Sequence, residues 1–230
     1  MLLAPDDELA LRVTAALRTE PAATLAALLR EHPVLAAARI GGERESRPLL
    51  HVLADWPGHV PGTTAKVELL VAAGAEVGAR FTGDHAETAL HWAASNDDVE
   101  ALDALLDAGA DIEARGAVIA GGTPLADAVA FGQWAAARRL LERGAQANLW
   151  QAAALGLAGR VADELDAAPS QRDLDNALWC AAHGGQRETA AMLRDHGADP
   201  AWVGHDELTA AGAAERSGAG ELAAWLRERA

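Results

Sequence analysis

The sequence predicts an all-α solenoid of about five helix-turn-helix repeats between an N-terminal and a C-terminal capping hairpin. Three observations predict it. Thr88-Ala89-Leu90-His91-Trp92-Ala93-Ala94 opens with a Thr able to cap a helix and continues with small and apolar residues at helical spacing. Leu102, Leu105 and Leu106 then share one helical face, which ends at Gly109, a residue that adopts the left-handed backbone closing many helices. Half of the residues are apolar, mostly Ala and Leu, while Tyr is absent and Phe occurs twice, a composition suited to helices packed closely through Ala rather than to a sheet. Two short helices cannot bury their apolar faces alone, so such a hairpin needs neighbours of its own kind.

Residues 5–18 read as the first helix, with Pro5 in its first turn, acids at 6–8, and Leu9, Val13, Ala16 and Leu17 on one side. A second helix spans 21–31, opened by Pro21 and ended before Pro33. Segment 1–46 is therefore the N-terminal capping hairpin, and 34–47 is a long connection ending in the charged turn Glu43-Arg44-Glu45-Ser46-Arg47. Repeats fill 47–200. The first has an inner helix over 48–55 and an outer helix over about 63–73, separated by Asp55-Trp56-Pro57-Gly58-His59-Val60-Pro61-Gly62, whose prolines and glycines predict a protruding loop. Loops 81–87 and 116–122 are also long; later connections are clipped. The opening recurs at Thr123-Pro124-Leu125-Ala126-Asp127, Leu149-Trp150-Gln151 and Asn176-Ala177-Leu178-Trp179-Cys180. The close recurs at Leu69 to Ala75, Leu140 to Ala145 and Met192 to Ala198. Residues 201–230 form the C-terminal cap, from Thr209 to a solvated end at Arg227-Glu228-Arg229, and 1–230 is one domain.

This recurrence resembles the ankyrin repeat, whose signature is T-P-L-H-x-A at a period of about 33 residues. The likeness covers residues 47–229, and the slot held by His in the signature is filled by His51, His91, Ala126, Trp150, Trp179 and Gly212. The resemblance implies a non-enzymatic binding scaffold that recognises a protein or peptide through a concave groove and the long loops of the first three repeats. It implies that His51 and His91 hydrogen-bond neighbouring loops, and that the next residue points into the groove. That next residue is Val52, Trp92, Asp127, Gln151, Cys180 or Ala213. One turn further come Asp55, Trp56, Ser95, Asn96, Phe131 and His183, with Trp134 closing one wall. The candidate binding residues are thus Asp55, Trp56, His59, Asp84, His85, Trp92, Asn96, Asp127, Phe131, Trp134, Gln151, Cys180 and His183. Trp150 and Trp179 are expected to pack between repeats.

Net charge of −15 argues against nucleic acid or an anionic membrane as partner and suits a basic one. Cys180, the one cysteine, forbids an internal disulfide and fits a reducing compartment. The N-terminus lacks a secretion signal, and no stretch has the apolar length of a membrane span, so a soluble, cytoplasmic protein is expected. Metal and cofactor sites lack support, since there is no His-x-x-x-His pair, cysteine cluster or glycine-rich phosphate loop. The alternative reading is a small-molecule-binding protein or cofactor-free acid–base enzyme of the isomerase, cyclase or dehydratase type. Its groups would be Asp127, His91, His59 and Asp55. It requires a closed pocket that holds Asp55, His59, Trp92 and Asp127 within about 8 Å of one point, with the 55–62 loop as lid.

Overall fold

The computed structural model describes residues 1–228; Arg229 and Ala230, the last residues of the expected C-terminal cap, lie outside them. The chain forms two compact units, Met1–Ala145 and Gln146–Ala230.

The first unit is a two-row stack of helical hairpins. Its helices are α1 (Glu8–Arg18), α2 (Ala22–Glu31), α3 (Leu49–Ala54), α4 (Thr63–Ala72), α5 (Ala89–Ser95), α6 (Val99–Asp107), α7 (Pro124–Ala130) and α8 (Trp134–Glu142). The inner row runs α1, α3, α5, α7 and the outer row α2, α4, α6, α8, each helix packed on the next in its row and on its hairpin partner. Fully buried Ala89, Ala93, Ala94 and Ala128 let the inner helices approach closely, and Leu70, Leu102 and Leu140 fill the space toward the outer row. The first helix starts three residues later than expected. Asp7, whose side chain accepts from the Leu9 and Ala10 N–H groups, caps it, which leaves Pro5 in the preceding turn. At the C-terminal end of α1, the Leu17 carbonyl accepts from Lys66 Nζ at 2.9 Å. Lys66, the chain's one lysine, has no exposed surface.

The long connection 34–47 is more ordered than the sequence predicts. It holds β2 (Arg39–Gly41) and β3 (Ser46–Pro48), which join β1 (Leu2–Leu3) in a small sheet of order β1-β2-β3, parallel between the first two and antiparallel between the last two. Strands of two or three residues are too short to show alternation in sequence. Burial of Leu3 and Ile40 holds them in place. Gly41, at φ 140°, is required in the turn because a Cβ there would lie 2.3 Å from the Glu45 carbonyl oxygen.

The second unit contains α9 (Leu149–Ala154), α10 (Ala158–Asp166), α11 (Gln171–His183), α12 (Arg187–Asp195), α13 (Ala210–Arg216) and α14 (Gly220–Arg227). Helix α11 packs between α9 and α13. It begins five residues before the Asn176 opening that the repeat spacing predicts, because Ser170 caps it by accepting from the Asp173 N–H and no Gly or Pro interrupts 171–175. The repeat's signature therefore falls mid-helix. At the other end of α11, a Cβ on Gly184 would stand 1.9 Å from the Ala154 carbonyl oxygen, so only glycine fits this approach of backbone to backbone. Gly184→Ala is expected to destabilise the chain by about 1–3 kcal/mol, read as a lower urea midpoint at constant m. An unchanged midpoint would show that the two backbones are free to separate.

Candidate functional site

The position after each His slot is predicted to face an open groove, and the structure corrects this. Val52, Asp127, Gln151, Cys180 and Ala213 are buried, while Trp92 is half-buried. The reason is packing. Inner helices α3, α5, α7, α9 and α13 have only six or seven residues and pack on a neighbouring inner helix and on an outer helix, so they have almost no free face, and every residue of α3 is buried. Cys180 lies in the longer α11, which packs between α9 and α13. Exposure begins one turn later, at the C-terminal ends, where Trp56 is 79% exposed and Phe131 50% exposed.

Asp127, expected in the groove, has no exposed surface and lies against Glu87, itself 5% exposed. Burial pushes the Asp127 pKa up to about 8, the Glu87 charge and a carboxyl–carboxyl hydrogen bond push the same way, and the Ile119 backbone opposes them. Two ionised carboxylates have no donor between them, and both Asp127 oxygens would then be orphans. A proton on Asp127 resolves this, because the carboxylic acid can donate to Glu87. Glu87 is satisfied as an acceptor: its Oε2 receives the Trp92 Nε1–H at 2.8 Å and its Oε1 the Val118 N–H at 3.0 Å. His85 Nδ1 stands 3.0 Å from Oε2 but off the angle of a hydrogen bond. The Glu87 carbonyl meets His51 Nε2 at 3.0 Å. One acid thus joins the first, second and third repeats.

The same cluster grips Trp92, which is less open than expected. The His51 ring stands edge-on to the indole at 5.0 Å between centroids, Phe81 tilts against it at 5.6 Å, and His85 stacks on Phe81 at 4.5 Å. His51 and His91 are fully buried. Burial lowers both imidazole pKa values, that of His51 to about 4, so both rings are neutral near pH 7. His91 completes a cap, its Nδ1 accepting the Thr88 N–H at 3.1 Å while Nε2 faces the Gly122 carbonyl at 3.4 Å.

The remaining acid–base candidates are committed to other partners and do not join Asp127. Asp55 pairs with Arg47 at 2.5 Å. His59 donates its backbone N–H to Asp98 and holds the Asn96 carbonyl through Nε2 at 3.2 Å, and the Asn96 side chain donates to the Ala54 carbonyl at 2.8 Å. The 55–62 loop is thereby fastened to the second repeat rather than placed over Asp127. Asp84 is exposed at a loop tip and Trp134 is half-buried at the start of α8. Arg18 donates to the carbonyls of Val52, Asp55 and Trp56 at 3.1, 2.8 and 2.8 Å, finishing the end of α3.

In the second unit the predicted site residues serve the fold. The Gln151 side chain accepts the Asn148 N–H at 3.0 Å and closes a capping box. Cys180 is buried, which pushes its thiol up to about 12 and keeps it protonated. His183 lies against Trp179 at 5.5 Å and meets Ser217 Oγ at 3.3 Å. Trp179 packs inside as expected, its Nε1–H donated to the Leu208 carbonyl at 3.0 Å. Trp150 does not: half-buried, it lines a cleft of about 470 Å³ with Asn148, Leu149, Glu164, Ala167, Pro169, Asp173 and Asn176.

Sequence reasoning missed Glu87. It sits in a loop, where no periodicity marks it; the available signal was an acid directly before a Thr cap with an indole five residues on.

A family model described as ankyrin repeats in three copies matches residues 50–151. Residues 50–151 of this chain are ankyrin repeats. The crystal structure of the human ASB11 ankyrin repeat domain is similar to this ankyrin-repeat chain over 93% of its length and 96% of the other, at 19% identity and a TM-score of 0.56. At that identity the likeness speaks for the fold. No curated protein matches the sequence. Ankyrin repeats are generally scaffolds for protein–protein interaction. Among the described residues no helix is long and apolar enough to cross a membrane, and no three His, Cys, Asp or Glu side chains are grouped to hold a metal ion.

Proposed function

We propose that this ankyrin-repeat protein is a binding scaffold for a protein or peptide, contacted at the C-terminal ends of the inner helices of its first unit. The observation that carries this reading is Trp56. Its indole is 79% exposed, yet its backbone is fixed on both sides, the N–H by Asp55 Oδ1 at 2.9 Å and the carbonyl by Arg18 at 2.8 Å. An indole presented from an immobile backbone loses little freedom on docking, and Trp is among the residues that dominate interface energies. Phe131, at the end of α7, and Val118, 58% exposed in the loop before it, add apolar contact. The net charge of −15 favours a basic partner.

The acid–base alternative has less to draw on, because Asp127 meets Glu87 rather than a cleft. Trp56→Ala is expected to lower the affinity of a partner captured by the wild type by about 2 kcal/mol or more, roughly thirtyfold, without moving the melting temperature. Unchanged affinity, measured by calorimetry, would remove this surface from the interface.

A further inference from the structure

We propose that the second unit carries a receptor pocket for one arginine side chain of a protein partner, built from the Trp150 indole and the carboxylates of Glu164 and Asp173. It takes its partner class from the scaffold reading but uses a different surface.

The pocket exists because α11 begins early. Its added turn carries Asp173, which with Asn176 just after it, Trp150 at the start of α9 and Glu164 near the end of α10 lines a cleft of about 470 Å³. The groups lining it have unspent bonding capacity. Trp150 Nε1 donates to nothing among the described residues. Arg160 Nη2 takes Glu164 Oε1 at 2.6 Å and Ser170 Oγ takes Asp173 Oδ2 at 2.6 Å, so Glu164 Oε2 and Asp173 Oδ1 remain open acceptors. Arg160 does not fill the cleft itself, because its Nε is tied to the Ala147 carbonyl at 3.0 Å.

The chemistry selects the occupant. Two carboxylates exclude an anion, and a neutral aromatic ring would bury them without a donor. A guanidinium offers a flat face to the indole and several donors to the two carboxylates. An ammonium has neither the face nor the fork. The amide NH₂ groups of Asn148 and Asn176 also donate to nothing among the described residues, while their oxygens are used by Gln151 N–H and His205 Nε2. They suit the backbone carbonyls that flank an arginine in a peptide segment.

The test titrates ¹⁵N-labelled full-length protein with N-acetyl-arginine N-methylamide and follows the Trp150 indole N–H signal, assigned by its loss in Trp150→Phe. A saturable shift is expected at millimolar ligand. The neutral citrulline analogue should bind at least tenfold more weakly, as should the arginine amide to the Glu164→Gln/Asp173→Asn protein, whose other indole signals report that it is folded. No saturable shift, equal binding of citrulline, or undiminished binding by the folded double variant would each overturn the proposal. Trp56→Ala should leave this titration unaltered, so the pocket and the first-unit surface fail separately.

Discussion

Replacing Asp127 by Asn is expected to stabilise the protein at pH 8 and to flatten the fall of its stability between about pH 4 and pH 8. The cause is a proton that the folded chain holds and the unfolded chain releases. Asp127 titrates near 3.8 when unfolded and, buried beside Glu87, at about 8 when folded. Between those values the folded state binds one more proton, so stability declines as pH rises, by up to about 1.4 kcal/mol per pH unit. The contribution is complete below the unfolded value and is gone once pH passes the folded one. Buried His51 and His91 act oppositely, costing stability as pH falls below about 6.5, because their lowered pKa values leave the unfolded chain with the extra protons. Comparing variant with wild type at each pH isolates the acid. An amide can donate to Glu87 as the protonated acid does, so the gain at pH 8 should be at least about 1.4 kcal/mol, one pKa unit's worth. Urea midpoints that respond to pH identically in both proteins would show that Asp127 carries no extra proton.

Lys66→Ala is expected to cost about 2–5 kcal/mol, since it deletes a fully buried four-carbon stem and strips the Leu17 carbonyl of its donor. The ammonium is itself costly there. Burial lowers its pKa and Glu20 only partly restores it. Lys66→Met keeps most of the volume and avoids the charge while still orphaning the carbonyl, so its cost should be smaller, about 1–3 kcal/mol. Equal urea midpoints for both variants would show that the bond to Leu17 contributes everything and the stem nothing. A loss below about 0.5 kcal/mol for Lys66→Ala, the scale of an ordinary surface change, would refute the burial itself.

The hairpin order was legible because it is local. Thr88, Thr123 and Thr209 stand at helix starts and Gly74, Gly109, Gly144 and Gly197 follow helix ends, as capping and left-handed closure require. The site was less so. Positional analogy put Asp127, Gln151 and Cys180 on an open face, whereas packing buries that position, in α7 and α9 because a helix of six or seven residues has almost no free face and in α11 because the helix lies between α9 and α13. His51 and His91 were read correctly as links between repeats, since their role follows from the repeat itself.

Taken alone, the sequence determined the all-α repeat architecture and the long loops, because each depends on residues within a helical turn or two of one another. Tertiary structure decided which side chains meet water. It paired Glu87 with Asp127 across forty residues, fastened the 55–62 loop to Asn96 and Asp98, seated Lys66 beneath the first helix and opened a cleft beside Trp150. Those outcomes depend on how closely adjacent hairpins approach, a distance set by packing between helices and carried by no single stretch of chain.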